Sequence, residues 1–317
     1  MKKRIISVLL ATVFALSVIG CGKKDTKEQD AYRQYGITCM ESGKYEDAVK
    51  AFQNALGESI GHIGEKELDI CFYKAKAQAL DGKTKDALAT YNAIIKYNKD
   101  ARAYYLRGDL YMDMGEEKKG RADFESAVQQ GKKNYEIYIG IYESLSRHEK
   151  KDEGQKYLSA AMEIKGDKPE DELYKGRISY LLGENKDAIS YLEKAKEHKQ
   201  MLASYYLGLA YDANGDSDKA KKCIAEYIKS GVATSYDLYE LGMQEMQDGN
   251  YKNALTYFNS GLELEKVPNK QNLMKSAIAA YEYSGDFDSA KKMMKEYLKA
   301  YPDDEEAKHE NTFLETR

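Results

Sequence analysis

Residues 201–227 read MLASYYLGLAYDANGDSDKAKKCIAEY. Apolar residues recur every three or four positions on either side of Asn214, Gly215 and Asp216, which is the period of a half-buried helix. Gly215 supplies the left-handed backbone that ends a helix, and Asn and Asp favour turns. Gly208 and Ala220 are small, and they fall where two antiparallel helices would touch. The stretch predicts helix, tight turn, helix.

The same arrangement recurs along the chain at a spacing near 34 residues, the mark of a repeat array that grows by stacking similar units. Working outward from residue 201, the copies place small residues and turn glycines at matching offsets. The first starts near Gln29, with Gly36, Gly43, Ala48, Phe52 and Ala55. The second starts near Leu68 (Ala75, Gly82, Ala87, Tyr91, Ile94) and the third near Ala101 (Gly108, Gly115, Gly120, Phe124, Ala127). The fourth is read from Lys133, with Gly140 in the small position and a turn, SRHEKKDE, that lacks Gly and reads about two residues longer. The fifth starts at Pro169 (Gly176, Gly183, Ala188, Leu192) and the seventh near Ser235 (Gly242, Gly249, Ala254, Phe258). The eighth starts near Gln271, with Ile278, Gly285, Ala290 and Met294. Scarce proline and no period-2 run of β-branched residues agree with an all-helical chain.

This spacing resembles the tetratricopeptide repeat. That family wants small residues at positions 8, 20 and 27, a turn Gly near 15 and a large apolar residue at 24. The resemblance implies an all-α solenoid of about eight helix-turn-helix repeats, forming a right-handed superhelix. The domains then read as a signal peptide over 1–20, a tether over 21–28, the repeats over 29–302, and a capping helix over 303–317. The last opens with Asp303, Asp304, Glu305 and Glu306, charges that suit a helix N-terminus.

The N-terminus reads MKKRIISVLLATVFALSVIGC. Lys2, Lys3 and Arg4 precede an apolar run that is short for a membrane span and fits a signal segment. The ending Val18-Ile19-Gly20-Cys21 resembles the bacterial lipobox. That resemblance implies lipidation of Cys21, palmitate included, and a mature chain anchored at the cell membrane and facing away from the cytoplasm. Two or three buried acyl chains, at about 0.8 kcal/mol per CH₂, hold a protein there stably. Residues 22–28, GKKDTKE, form a polar tether.

No chemistry-bearing constellation stands out. His62, His148, His198 and His309 have no ligand at metal spacing, so they read as solvated side chains. No phosphate loop or nucleophile triad can be placed, and no cofactor is expected. The net charge of −4, without a basic stripe, makes the chain a poor nucleic-acid binder. The remaining Cys39, Cys71 and Cys223 are widely spaced and read as buried helix residues.

The surface remains. In the family, positions 2, 5, 9, 12 and 13 of each first helix line the inner groove. Position 5 reads Phe72, Tyr105, Ile137, Leu173, Tyr205 and Tyr239 in the middle repeats, with Arg33 and Lys275 at the ends. These six are the expected protein-binding contacts, since aromatic surfaces suit peptide recognition. The clamp that some members use for C-terminal tails wants Lys and Asn at positions 5 and 9, where this chain has Arg33 and Ile37, then Phe72 and Lys76. The expected function is a non-enzymatic, membrane-anchored scaffold that binds a protein or peptide in its concave groove. The alternative is a structural part of an envelope assembly or secretion machine, working through its ends or convex face.

Overall fold

The computed structural model of the chain describes residues 27–59, 63–166 and 168–317. The signal-like segment, Cys21, most of the tether, and His62 lie outside the described residues. Those residues form seventeen α-helices and no strand. The chain divides into two compact units, Met1–Gly215 and Asp216–Arg317.

The first unit holds α1 (Lys27–Glu41), α2 (Tyr45–Gly57), α3 (Glu65–Leu80), α4 (Thr84–Asn98), α5 (Ala101–Asp113) and α6 (Glu117–Gln130). It continues with α7 (Tyr135–Arg147), α8 (Lys151–Met162), α9 (Pro169–Leu182), α10 (Asn185–Glu197) and α11 (Leu202–Ala213). Ten of these pair as consecutive hairpins, each packed on the next. The second unit holds α12 (Ser217–Lys229), α13 (Ser235–Gln247), α14 (Tyr251–Leu262), α15 (Lys270–Tyr283), α16 (Phe287–Ala300) and α17 (Glu305–Leu314). The unit boundary falls inside the stretch that identified the repeat. Its two helices, α11 and α12, form where the periodicity places them, and Gly215 takes φ +85° between them.

The turns explain the glycine at position 15. Gly115 has φ +73°, and the amide of Glu116 after it donates to the Tyr111 carbonyl at 2.8 Å, the long bond of a Schellman cap. A Cβ on Gly115 would meet nothing within 4 Å, so backbone conformation alone selects glycine there. Gly108 at position 8 is glycine for the opposite reason. A Cβ there would lie 2.9 Å from the Phe124 ring, so the close approach of α5 to α6 requires it. The position-24 residues Phe52, Phe124, Leu158, Leu192 and Phe258 are fully buried and form the centres of successive core segments.

Repeat four corrects the sequence reading. Its turn is His148-Glu149-Lys150, the same length as the others, because Glu149 adopts φ +61° in the glycine position. Lys150 closes the cap onto Leu145 at 2.8 Å as in the other turns. The first helix starts at Tyr135, so the register shifts by two. Position 8 is Tyr142, packed on Gly154 across the hairpin, and position 5 is the fully buried Ile139, not Ile137. Gly140 serves a different contact, where a Cβ would strike the Tyr105 ring at 2.6 Å. A non-glycine residue in the left-handed region is strained by about 1–2 kcal/mol. Glu149→Gly is therefore expected to raise the melting temperature, and Gly115→Ala to lower it, each by an amount equivalent to about 1 kcal/mol.

In the second unit α17 docks on α15 and α16. Asp304 caps it, accepting from Ala307 N at 3.1 Å, Tyr297 Oη at 2.5 Å and Lys275 Nζ at 2.9 Å. The Tyr297 hydroxyl first, then Lys275, hold the Asp304 carboxyl well below the usual range. Glu282 on α15 behaves in the opposite way. Its Oε1 is buried without a partner among the described residues, and the Glu310 carboxyl of α17 faces it. Burial first, then the Glu310 charge and hydrogen bond, push Glu282 up to about 7. A depressed aspartate stabilises above its unfolded pKa and loses that contribution as pH falls; a raised glutamate stabilises below its unfolded pKa and loses its contribution as pH rises through 7. Amide-exchange protection of α17, corrected for intrinsic rates, should therefore peak at about pH 4, close to the unfolded-state pKa values of the two groups, and decline from there toward about pH 7 as Glu282 ionises. Glu282→Gln should remove the fall on the alkaline side, and Asp304→Asn the fall on the acid side.

Candidate functional site

The first helices of repeats two and three, α3 and α5, flank a concavity within the first unit. Glu67 accepts from Gly64 N at 2.8 Å at the start of α3, and Asp100 accepts from Arg102 N at 2.8 Å at the start of α5. Phe72, Ala75 and Ala103 turn inward and pack with Tyr91 and Ile94 of α4. The residues one helical step away are left facing a cavity of about 440 Å³. Positions 2, 5, 9 and 13 of α3 (Asp69, Phe72, Lys76, Leu80) and positions 2, 9 and 13 of α5 (Arg102, Asp109, Asp113) line it, with Leu106 and Leu110 between.

The cradle is apolar at its floor and charged at its rim. The edge of buried Phe72 forms the floor with Tyr91, whose hydroxyl pKa is raised by burial. Leu80 is 49% exposed, a large apolar side chain offered to solvent beside a cavity. Arg102 lies flat on Phe72, its Cζ 3.6 Å from the ring centroid. The rim carboxylates are engaged from outside the cradle. Asp69 is held by Arg33 of α1 at 2.6 Å, Asp109 by Arg147 of α7 at 2.6 Å, and Asp113 by His148 at 3.2 Å.

The six residues expected as contacts are placed mostly in the core. Phe72, Ile137, Leu173 and Tyr205 are buried, and only Phe72 reaches the cradle. Tyr105 packs over Gly140 and beside Phe124, and Tyr239 lies 6.2 Å from the Phe258 ring. Position 5 points toward the neighbouring hairpin as much as toward the groove, so stacking consumes most of it. The two cations expected at the ends are tied up as well, Arg33 to Asp69 and Lys275 to Asp304 and Glu306. Arg102, Leu106 and Leu110 went unread in the sequence. The available signal was their place at positions 2, 6 and 10 of a repeat whose position 5 is already filled.

Among the described residues, no group of three or more His, Cys, Asp or Glu could hold a metal ion, and no helix is long and apolar enough to cross a membrane. His148 bridges Asp113 and the Ser144 carbonyl, while His198 and His309 are exposed. Cys39 and Cys223 are buried, and Cys71 is half-buried with its thiol pKa pushed up by burial.

Comparison with known proteins adds the family. One tetratricopeptide repeat model matches residues 36–95 and 74–135, and a second matches 202–230 and 271–304, together more than half of the chain. The longer unmatched stretch, 136–201, contains the hairpin in which Tyr142 faces Gly154. No curated protein matches the sequence. Solved structures resemble it at low identity. A tetratricopeptide repeat protein from Parabacteroides merdae is 12% identical over 80% of this chain and 99% of that one, with a TM-score of 0.47. PilW, a widely conserved type IV pilus biogenesis factor, is 18% identical over 66% of this chain and 97% of that one, with a TM-score of 0.44. The Cut9–Hcn1 hetero-tetramer of the APC/C is 17% identical over 96% of this chain and 59% of that one, with a TM-score of 0.43. These are likenesses and no more. The repeated hairpins, their glycine turns and the family matches together show that this chain belongs to the tetratricopeptide repeat family.

Proposed function

We propose that this protein is a membrane-tethered scaffold, facing away from the cytoplasm, whose cradle between α3 and α5 receives a segment of a partner protein. Its repeats make it a protein–protein interaction scaffold, and the fold is typically non-enzymatic. The observation that carries the proposed site is the 440 Å³ cradle, lined by the repeat positions that form an inner groove, with Leu80 exposed at its edge. An apolar side chain entering it would leave water against Phe72, Leu106 and Leu110, at about 25 cal/mol per Å² buried.

The test blocks the cradle without touching its charges. Ala79 lines the cavity and is small. Ala79→Trp should abolish crosslinking of the native partner in cells while leaving the helical CD spectrum intact. Undiminished crosslinking in a folded variant would move the site elsewhere.

The anchor rests on Val18-Ile19-Gly20-Cys21. Cys21→Ser is expected to shift the protein out of the acylated membrane fraction, with no incorporation of labelled palmitate. Label in that variant would overturn the lipid anchor.

A further inference from the structure

We propose that the cradle selects a partner segment carrying a side-chain carboxylate next to a large apolar residue, recognised by Lys76 and Arg102. This rests on the reading of the cradle as the binding site and adds the chemistry of what enters it.

The argument is one of charge complementarity. Three carboxylates reach the cavity, and each is already engaged from outside it: Asp69 by Arg33, Asp109 by Arg147, and Asp113 by the His148 imidazole. The two cations that reach it are in the reverse situation. Lys76 of α3 and Arg102 of α5 have no carboxylate partner among the described residues. They stand on opposite walls of one cavity. Elsewhere in this unit the arginines of the first helices are committed, as with Arg107 to Asp123 and Arg177 to Glu143. Arg102 thus differs from the paired arginines of the neighbouring first helices, and Lys76 faces it, unpaired among the described residues.

Arg102 is also held in place. Its guanidinium lies 3.6 Å above the Phe72 centroid, which uses the face of the group and leaves its edge N–H donors free. A fork of parallel donors matches a carboxylate, and a stacked guanidinium loses less freedom on binding than a loose one. Lys76 adds a mobile point charge from across the cavity. Beneath them Phe72, Leu106 and Leu110 offer apolar surface that no charged side chain of the partner would fill. The two needs are met by a Glu or Asp beside a Leu or Phe.

A terminal carboxylate is the poorer occupant. The tail clamp of this family wants an Asn at position 9, and here that position holds Lys76 and Asp109. No side-chain amide lines the cavity to hold the main chain of a terminal residue.

The test uses the full-length chain in detergent and fluorescence anisotropy. The probe is a fluorescein-labelled peptide, capped at both ends, with the core Leu-Glu-Glu-Phe. Controls carry Gln for Glu, or leave the C-terminus free. The acidic peptide should bind at least about tenfold tighter than the Gln peptide, the ratio that corresponds to one good charged contact. Arg102→Glu and Lys76→Glu should each weaken it by about tenfold or more, and raising salt from about 0.05 to 0.5 M should narrow the gap to the Gln peptide. Arg102→Lys should fall between, keeping the charge and losing the stacked fork.

Equal binding of the Gln peptide would overturn the inference and leave the cradle itself standing as the site. Tighter binding of the free C-terminus would replace the internal acidic residue with a terminal one and overturn the inference equally. Failure of the acidic peptide to bind at all, or indifference to both charge reversals in folded variants, would also overturn it.

Discussion

Phe124→Ala is expected to destabilise the α5–α6 hairpin by about 3–5 kcal/mol, the range for removing a buried aromatic ring. The ring is fully buried and packs against Gly108 of α5, with Met112 and Ala127 in the same core segment and Ile137, Ile141 and Leu145 of α7 completing it. No neighbour can collapse into the space easily. Gly108 has no side chain to offer, and Tyr105 is held by its contact with Gly140. Because stability in a repeat array is close to a sum of local terms, the loss should appear first as faster amide exchange in α5 to α7 rather than as uniform unfolding. Binding in the cradle should weaken with it, since α5 is one of its walls. Exchange that rises equally across α1 to α11 would mean the hairpins of this unit unfold as one block.

Arg107→Ala is the second large effect. Arg107 Nε and Nη2 donate to the two oxygens of Asp123 at 2.7 and 2.6 Å, and Nη1 donates to Asn92. Asp123 is only 6% exposed. The bond to Asp123 is also the first cause of the raised Arg107 pKa. Removing the arginine leaves a buried carboxylate without its cation, which costs about 3–5 kcal/mol in comparable cases. Arg107→Met with Asp123→Leu should recover most of that, because the penalty lies in the orphaned charge and not in the loss of the pair. Chemical denaturation of the single and double variants separates the two. A double variant as unstable as Arg107→Ala would show that the pair itself stabilises the hairpin.

These effects sit on residues that the sequence marks to different degrees. Phe124 was legible, because large residues recur at position 24 between small ones at 20 and 27. The Arg107–Asp123 pair was not. The two residues lie on different helices of the hairpin, and nothing in a linear pattern says which charges meet. Gly140 shows how the pattern misleads. It has the right residue type two positions early, while position 8 holds the large Tyr142, packed against Gly154. Glu149 hid a turn of ordinary length because the left-handed conformation was sought only at glycine. At the candidate site, four of the six residues expected as contacts, Phe72, Ile137, Leu173 and Tyr205, lie buried. Position 5 looks outward on one helix, yet the next hairpin of the first unit covers it at Ile139 and Leu173. Positions 2 and 9 stay open at Arg102 and Lys76 because the local pairing of charges leaves them over, and pairing is a three-dimensional property.

The central claim is that the partner enters the cradle between α3 and α5. Its most direct test places a photo-crosslinking amino acid at Leu106, inside the cradle, and separately at Glu125, exposed on α6, in the native cell. One discrete adduct is expected from Leu106, absent from Glu125 and lost when Ala79→Trp fills the cavity. An adduct from Glu125 alone, or a Leu106 adduct that survives Ala79→Trp, would contradict it.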